Sequence, residues 1–157
     1  MNDAAAAPAQ TEHASAVALE IGGAWRGALI LGPAGSGKSA LALELMAIGA
    51  RLVADDRVRL ARQGRAVLAM APPSIAGLIE ARGIGLLQAE PVAHAPVELV
   101  VDLGQIEAHR LPPARRIDLL GVSIPLVHKV ENACFAAAML QLLKGAIRYP
   151  ETPIPVR

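Results

Sequence analysis

The sequence predicts an α/β domain, a central mixed sheet flanked by helices, on three observations. Short apolar runs at 15–19, 28–31, 51–54, 97–102 and 122–126 recur between turn signals and have the length of strands. Two longer apolar stretches, 39–47 and 132–143, have the length and composition of helices. Between the second strand and the first helix lies a glycine-rich octet, the join at which an α/β sheet carries its ligand.

The elements follow in order. Residues 1–12 hold four consecutive alanines and lack the basic start and apolar core of a signal peptide, so they read as a flexible tail. The strand at 15–19 turns back at Gly22-Gly23, and 28–31 runs into the octet. The helix over 39–47 ends near Gly49, a suitable C′ residue. The strand at 51–54 delivers Asp55-Asp56 at its C-terminal end. Strands at 58–61 and 66–70 flank a hairpin turn at Gln63-Gly64. Pro72-Pro73 breaks the pattern, and 74–79 reads as a short helical turn leading to Glu80-Ala81-Arg82-Gly83. After the strand at 97–102, the polar, proline-marked residues 103–118 read as a loop. A last strand at 122–126 precedes the helix over 132–143, with Asn132 as its N-cap. Pro150, Pro153 and Pro155 make 146–157 an extended tail. The organisation is therefore a tail (1–12), one folded domain (13–145) and a second tail (146–157).

Composition narrows the function classes. At 157 residues the chain fits one domain, and 54% hydrophobic residues suffice for a core. Aromatics are only 2%, so Ala, Leu, Ile and Val must fill it. A net charge of +1 gives no electrostatic case for nucleic acid or an anionic membrane. No uncharged apolar stretch of about 18 residues reads as a membrane span. One cysteine, Cys134, excludes an internal disulfide and a multi-cysteine metal site, which suits the cytoplasm.

Gly32-Pro33-Ala34-Gly35-Ser36-Gly37-Lys38-Ser39 fits the phosphate-binding pattern G-x-x-x-x-G-K-[ST] at every fixed position, in strand–loop–helix context. Glycines let backbone N–H groups turn toward phosphate oxygens, and the helix N-terminus adds partial positive charge. Lys38 would reach the β- and γ-phosphates and Ser39 would ligate Mg2+. The bland alternative is a glycine-rich turn with an exposed lysine.

Asp55-Asp56 lie 17 and 18 residues after Lys38, beyond the carboxyl end of a strand. One carboxylate could accept the proton of an attacking hydroxyl and the other hold Mg2+, directly or through water. The competing reading is a solvated turn. Leu99-Val100-Val101-Asp102 offers a second metal candidate, an apolar strand ending in Asp, or simply a turn aspartate. In Glu80-Ala81-Arg82-Gly83-Ile84-Gly85, Arg82 offers a fork to phosphate and Glu80 an oxygen to Mg2+. An exposed ion-paired turn is the alternative. His13, His94, His109 and His128 show no metal-ligand spacing. Arg110, Arg115 and Arg116 cluster in the proline-marked loop, solvated or reaching a phosphate. No Asn-Lys-x-Asp segment supports guanine recognition.

Together these residues resemble the catalytic domain of bacterial HPr kinase/phosphorylase, from His13 to about Leu126. The match concentrates in the octet with Ala40-Leu-Ala-Leu-Glu-Leu45, in Gly49-Ala-Arg-Leu-Val-Ala-Asp-Asp56, and in Ile75-Ala-Gly-Leu-Ile-Glu-Ala-Arg-Gly-Ile-Gly85. The resemblance implies a P-loop kinase domain that uses ATP, or pyrophosphate in some members, to phosphorylate a serine of HPr. HPr is the small phosphocarrier of the sugar phosphotransferase system. Many members also remove that phosphate by phosphorolysis. It further implies roles: His13 an active-site histidine, Lys38 the phosphate lysine, Ser39 and Glu80 Mg2+ ligands. Asp56 becomes the proton acceptor, with Asp55 its neighbour, Arg82 lies in a catalytic loop, and Arg110 matches a further arginine, with Arg115 or Arg116 as alternatives.

The chain departs from the long members in two places. It has no counterpart of their N-terminal domain and resembles the short form of alphaproteobacteria. Where they carry a Pro-Gly-Arg-Asn segment tied to phosphorolysis, it reads Pro125-Leu-Val-His-Lys-Val-Glu-Asn132, which counts against that activity. Long members form hexamers, so a homo-oligomer is a further expectation. A small-molecule kinase and a non-catalytic nucleotide-binding regulator are the competing functions.

Overall fold

A computed structural model describes residues 9–145. Its spine is β9, Ala95–Ile106, a strand with apolar residues on both faces. Leu99, Val101 and Leu103 pack into one core, whereas Val97 and Val100 pack into another. Side chains alternate between faces from Leu99 onward, the register with β3 slips between Val97 and Leu99, and apolar residues on both faces place the strand in a sheet covered on both sides. β3 (Ala24–Leu31) lies parallel on one edge of β9. β6 (Ala66–Met70) pairs antiparallel with the start of the other edge, and β11 (Val122–Lys129) pairs parallel with the rest of it.

The remaining strands extend this frame. β2 (Ser15–Ile21) pairs with β3 across the Gly22-Gly23 turn, and β4 (Arg51–Ala54) pairs with β2. β5 (Val58–Gln63) pairs with β6, β1 (Ala9–Glu12) with β5, and β10 (Arg116–Leu119) with β11. The path β1-β5-β6-β9-β3-β2-β4 is the mixed sheet that the sequence predicts, with β11 and β10 branching from β9. A separate hairpin joins β7 (Leu78–Ala81) and β8 (Gly85–Gln88).

Both helices cover one face. α1 (Lys38–Ala47) buries Leu41 and Leu45, and α2 (Phe135–Lys144) buries Met139, Leu140 and Leu143, all in the core that holds Leu99 and Val101. The other face is closed by strands, with Leu29, Val53 and Val100 packed against Val58, Leu60, Val67, Leu119 and Ile124. α1 ends as expected at Gly49, whose φ of 123° few side chains tolerate. The N–H groups of Gly49 and Ala50 return to Met46 O and Leu45 O, the Schellman arrangement.

Four expectations are corrected. Residues 9–12, placed in the N-terminal tail, form β1 in register from Ala9↔Ala61 to Glu12↔Val58. Their pairing comes from β5, about 50 residues away in sequence, not from any apolar pattern of their own. The segment at 74–79 is a 3-10 turn at Pro73–Ile75 followed by β7, so Glu80 stands on a strand. The loop at 103–118 is shorter, because β9 runs to Ile106 and β10 starts at Arg116. Asn132 does not cap α2: its Oδ1 accepts the Cys134 N–H at 2.9 Å, closing a turn just before the helix. Residues 1–8 and the predicted tail at 146–157 lie outside the described residues.

Candidate active site

The octet occupies the turn from β3 into α1, at the carboxyl end of β3. Gly32, Gly35 and Gly37 have φ of 155°, 79° and 98°. A Cβ on Gly32 would overlap Ser36 Oγ and meet the Leu103 side chain, so this position requires glycine for space as well as conformation. Lys38 is buried and folds back on the loop, donating to Gly32 O at 2.7 Å and Pro33 O at 3.0 Å. Ser36 Oγ is buried without a hydrogen-bond partner.

The two adjacent aspartates take opposite directions. Asp55 points inward and is 4% exposed. Its Oδ1 accepts the hydroxyls of Ser15 and Ser39, each at 2.7 Å, and its Oδ2 accepts the Glu80 N–H at 3.1 Å. A buried carboxylate needs such donors to offset its lost hydration. Asp56 has φ of 67°, in the left-handed region, where Asp is one of the more tolerant side chains. That turn sends its carboxylate outward, 65% exposed, 2.9 Å from His13 Nε2. The backbone locks the turn: Ala14 N–H donates to Asp56 O and Arg57 N–H to Asp55 O.

A cleft of about 530 Å³ joins these parts, lined by His13, Ser15, Ala34, Gly35, Gly37, Lys38, Ser39, Asp56, Glu80 and Arg82, among others. The loop, Asp56, and Glu80 with Arg82 thus converge from three different segments, with Asp55 beneath them. The strand ends at 31 and 54 open on the same side because β2 is antiparallel to both neighbours.

Two predicted residues sit elsewhere. Asp102 spends Oδ1 on the Gly104 N–H at 2.8 Å, a turn aspartate, so the carboxylate bonded to Ser39 is Asp55 instead. Arg110 is exposed and does not line the cleft. Its competitors are engaged: Arg115 binds Glu107 at 2.9 Å and His128 at 3.3 Å, and Arg116 binds Ser123. Sequence reasoning missed Ser15 and Glu107. A serine opening an apolar strand gives no local signal, and Glu107 stands in a segment read as solvated loop.

The oxygen donors suit Mg2+. The ion keeps several waters and takes one or two carboxylates together with phosphate oxygens. Ser39, Asp55 and Glu80 can supply such a partial set. Among the described residues no group of three or more His, Cys, Asp and Glu side chains is placed to cage a metal alone. No helix among them is long and apolar enough to cross a membrane.

The chain is similar to known proteins over most of its length. The HPr kinase/phosphorylase of Cupriavidus necator is 36% identical over 154 residues, which span 90% of this chain and 46% of that protein. That of Chloroherpeton thalassium is 37% identical over 114 residues, 64% of this chain and 34% of its own. The chain thus spans about half the length, or less, of these curated relatives. The solved structure of the Hpr(Ser) kinase/phosphatase from Coxiella burnetii shares the fold, with TM-score 0.68 and 24% identity over 86% of this chain and 87% of that one. The family model described as HPr Serine kinase C-terminal domain matches residues 6–127, most of the chain, and the chain belongs to that family.

Proposed function

We propose that this domain transfers the γ-phosphoryl group of ATP to a serine hydroxyl of the phosphocarrier HPr, in the cytoplasm and with Mg2+. The observation that carries the reading is the division of labour between Asp55 and Asp56. One carboxylate is tied to the phosphate-loop serine, and the other stands free in the cleft beside His13. The relatives are HPr kinase/phosphorylases, which supports HPr as the acceptor.

Phosphoryl transfer is mostly positioning and charge neutralisation. Lys38 exchanges its two carbonyl acceptors for phosphate oxygens when a nucleotide fills the loop. Ser39 gives its hydroxyl proton to Asp55, which turns its lone pairs away from Asp55 and toward a cation. Mg2+, held by Ser39 with Asp55 or Glu80, would neutralise charge on the β- and γ-phosphate oxygens. Asp56 binds His13 through Oδ1, and its other oxygen has no hydrogen-bond partner among the described residues. That oxygen accepts the serine proton as the hydroxyl attacks. Arg82, at the hairpin turn, adds positive charge to the cleft.

The test is incubation of the purified domain with labelled ATP, Mg2+ and either HPr or its serine-to-alanine variant. Label on HPr alone is expected. Label on both proteins refutes the acceptor, and in a parallel incubation with a metabolite pool in place of HPr, label found only there identifies a small-molecule kinase instead.

A further inference from the structure

We propose that Ser15 is a positioning residue for the metal-bound nucleotide, acting through Asp55 on Ser39. The proposal rests on the reading above that Ser39 faces the cation. Ser15 opens β2 and is fully buried, yet it borders the cleft. Its neighbours in the sheet fix its place: Ser15 lies opposite Ile30, one residue before the end of β3, and Ala16 lies opposite Ala54, the last residue of β4. A hydroxyl at this point can reach the carboxylate that follows β4, and it donates to Asp55 Oδ1 at 2.7 Å.

Asp55 Oδ1 has room for two strong donors, and Ser15 and Ser39 fill both places at equal distance. Glu80 N–H engages Oδ2, so the carboxylate is fixed at both oxygens. This geometry sets the direction of the Ser39 hydroxyl. With the carboxylate pinned, the Ser39 proton has one place to go, and its lone pairs have one side to face. Without Ser15, Oδ1 loses a donor in a buried position, where a missing bond to a charged group is costly. The carboxylate then rotates toward other donors, and Ser39 loses its fixed orientation. The Ser15 hydroxyl bonds Asp55 and not the phosphate-loop backbone or Lys38, so binding of nucleotide without metal is expected not to depend on it.

The test separates the metal-linked term from general damage. Nucleotide affinity is measured calorimetrically for the purified domain, once with excess Mg2+ and once in EDTA. Ser15→Val keeps the strand and removes the hydroxyl while excluding water. It is expected to weaken Mg2+-ATP binding about tenfold, the scale of one hydrogen bond to a charged group, and ATP binding in EDTA less than about twofold. Ser15→Thr restores the donor and the wild-type values. Ser15→Ala admits a water from the cleft and loses about threefold, and it carries the test if the valine variant does not fold. Equal losses with and without Mg2+, or no loss in either, overturn the proposal. Ser39→Ala is the control: if it loses the Mg2+ preference while Ser15→Val and Ser15→Ala keep it, only the role of Ser15 fails. If wild type binds ATP equally with and without Mg2+, the assignment of Ser39 fails, and that of Ser15 with it.

Discussion

Asp55 and Asp56 are chemically identical neighbours that the backbone assigns to different work. A left-handed φ of 67° at Asp56 turns one carboxylate into the cleft while the other stays beneath the phosphate loop. Strain of this kind persists only where surrounding bonds hold it, and here the Ala14 N–H holds Asp56 O. The residue-scale prediction concerns the outward one. Asp56→Asn is expected to keep ATP affinity within about twofold and to lower the rate of transfer to HPr at least ~100-fold, the usual size of a general-base contribution. Single-turnover kinetics with bound ATP check it, and wild-type turnover in the variant would end the assignment of Asp56.

Between residue and molecule lie the connections, and the one joining β9 to β10 is held at its two ends by one carboxylate. Glu107, whose side chain is 7% exposed, accepts the N–H groups of Ala108 and His109 and the Arg115 guanidinium at 2.9 Å. Burial pushes its pKa up, but the His109 N–H and ring, the Arg115 charge and the Ala108 N–H outweigh burial and hold it below 4.5. A carboxylate with a depressed folded pKa stabilises the fold above its unfolded value and loses that contribution as pH falls through the folded one. Denaturant midpoints of wild type and Glu107→Gln should therefore differ most at neutral pH and converge below about 4.5. A gap that stays constant from pH 7 to 3 would contradict this account of the loop. The same connection carries Arg110, so its closure sets where that arginine starts.

At the scale of the molecule, one sheet separates two apolar cores, and α1 links the helix-side core to the phosphate loop. Leu45 is fully buried in that core, two turns from Lys38 on the same helix. Leu45→Ala is expected to cost about 2–5 kcal/mol in unfolding free energy, from lost transfer and cavity terms together. Urea denaturation measures it, and the nucleotide affinity of the remaining folded protein should change little. A loss below about 0.5 kcal/mol would mean that the core repacks around the gap.

The chain by itself determined the features that depend on neighbours in sequence. The octet, its flanking strand and helix, the Schellman glycine and the strand delivering Asp55-Asp56 all rest on contacts a few residues apart, and local propensity reports those. Tertiary structure alone decided the rest. β1 has no apolar pattern and exists because β5 offers it a ladder; the expected helical turn at 74–79 gives way to β7 because its hydrogen bonds run across a hairpin to β8. Ser39 acquires Asp55 rather than Asp102 because antiparallel β2 sets the end of β4 beside the loop, while Asp102 turns back on its own chain. Spacing along the sequence showed that two carboxylates follow the loop, but only pairing between distant strands fixed which one lies beneath it and which faces the cleft.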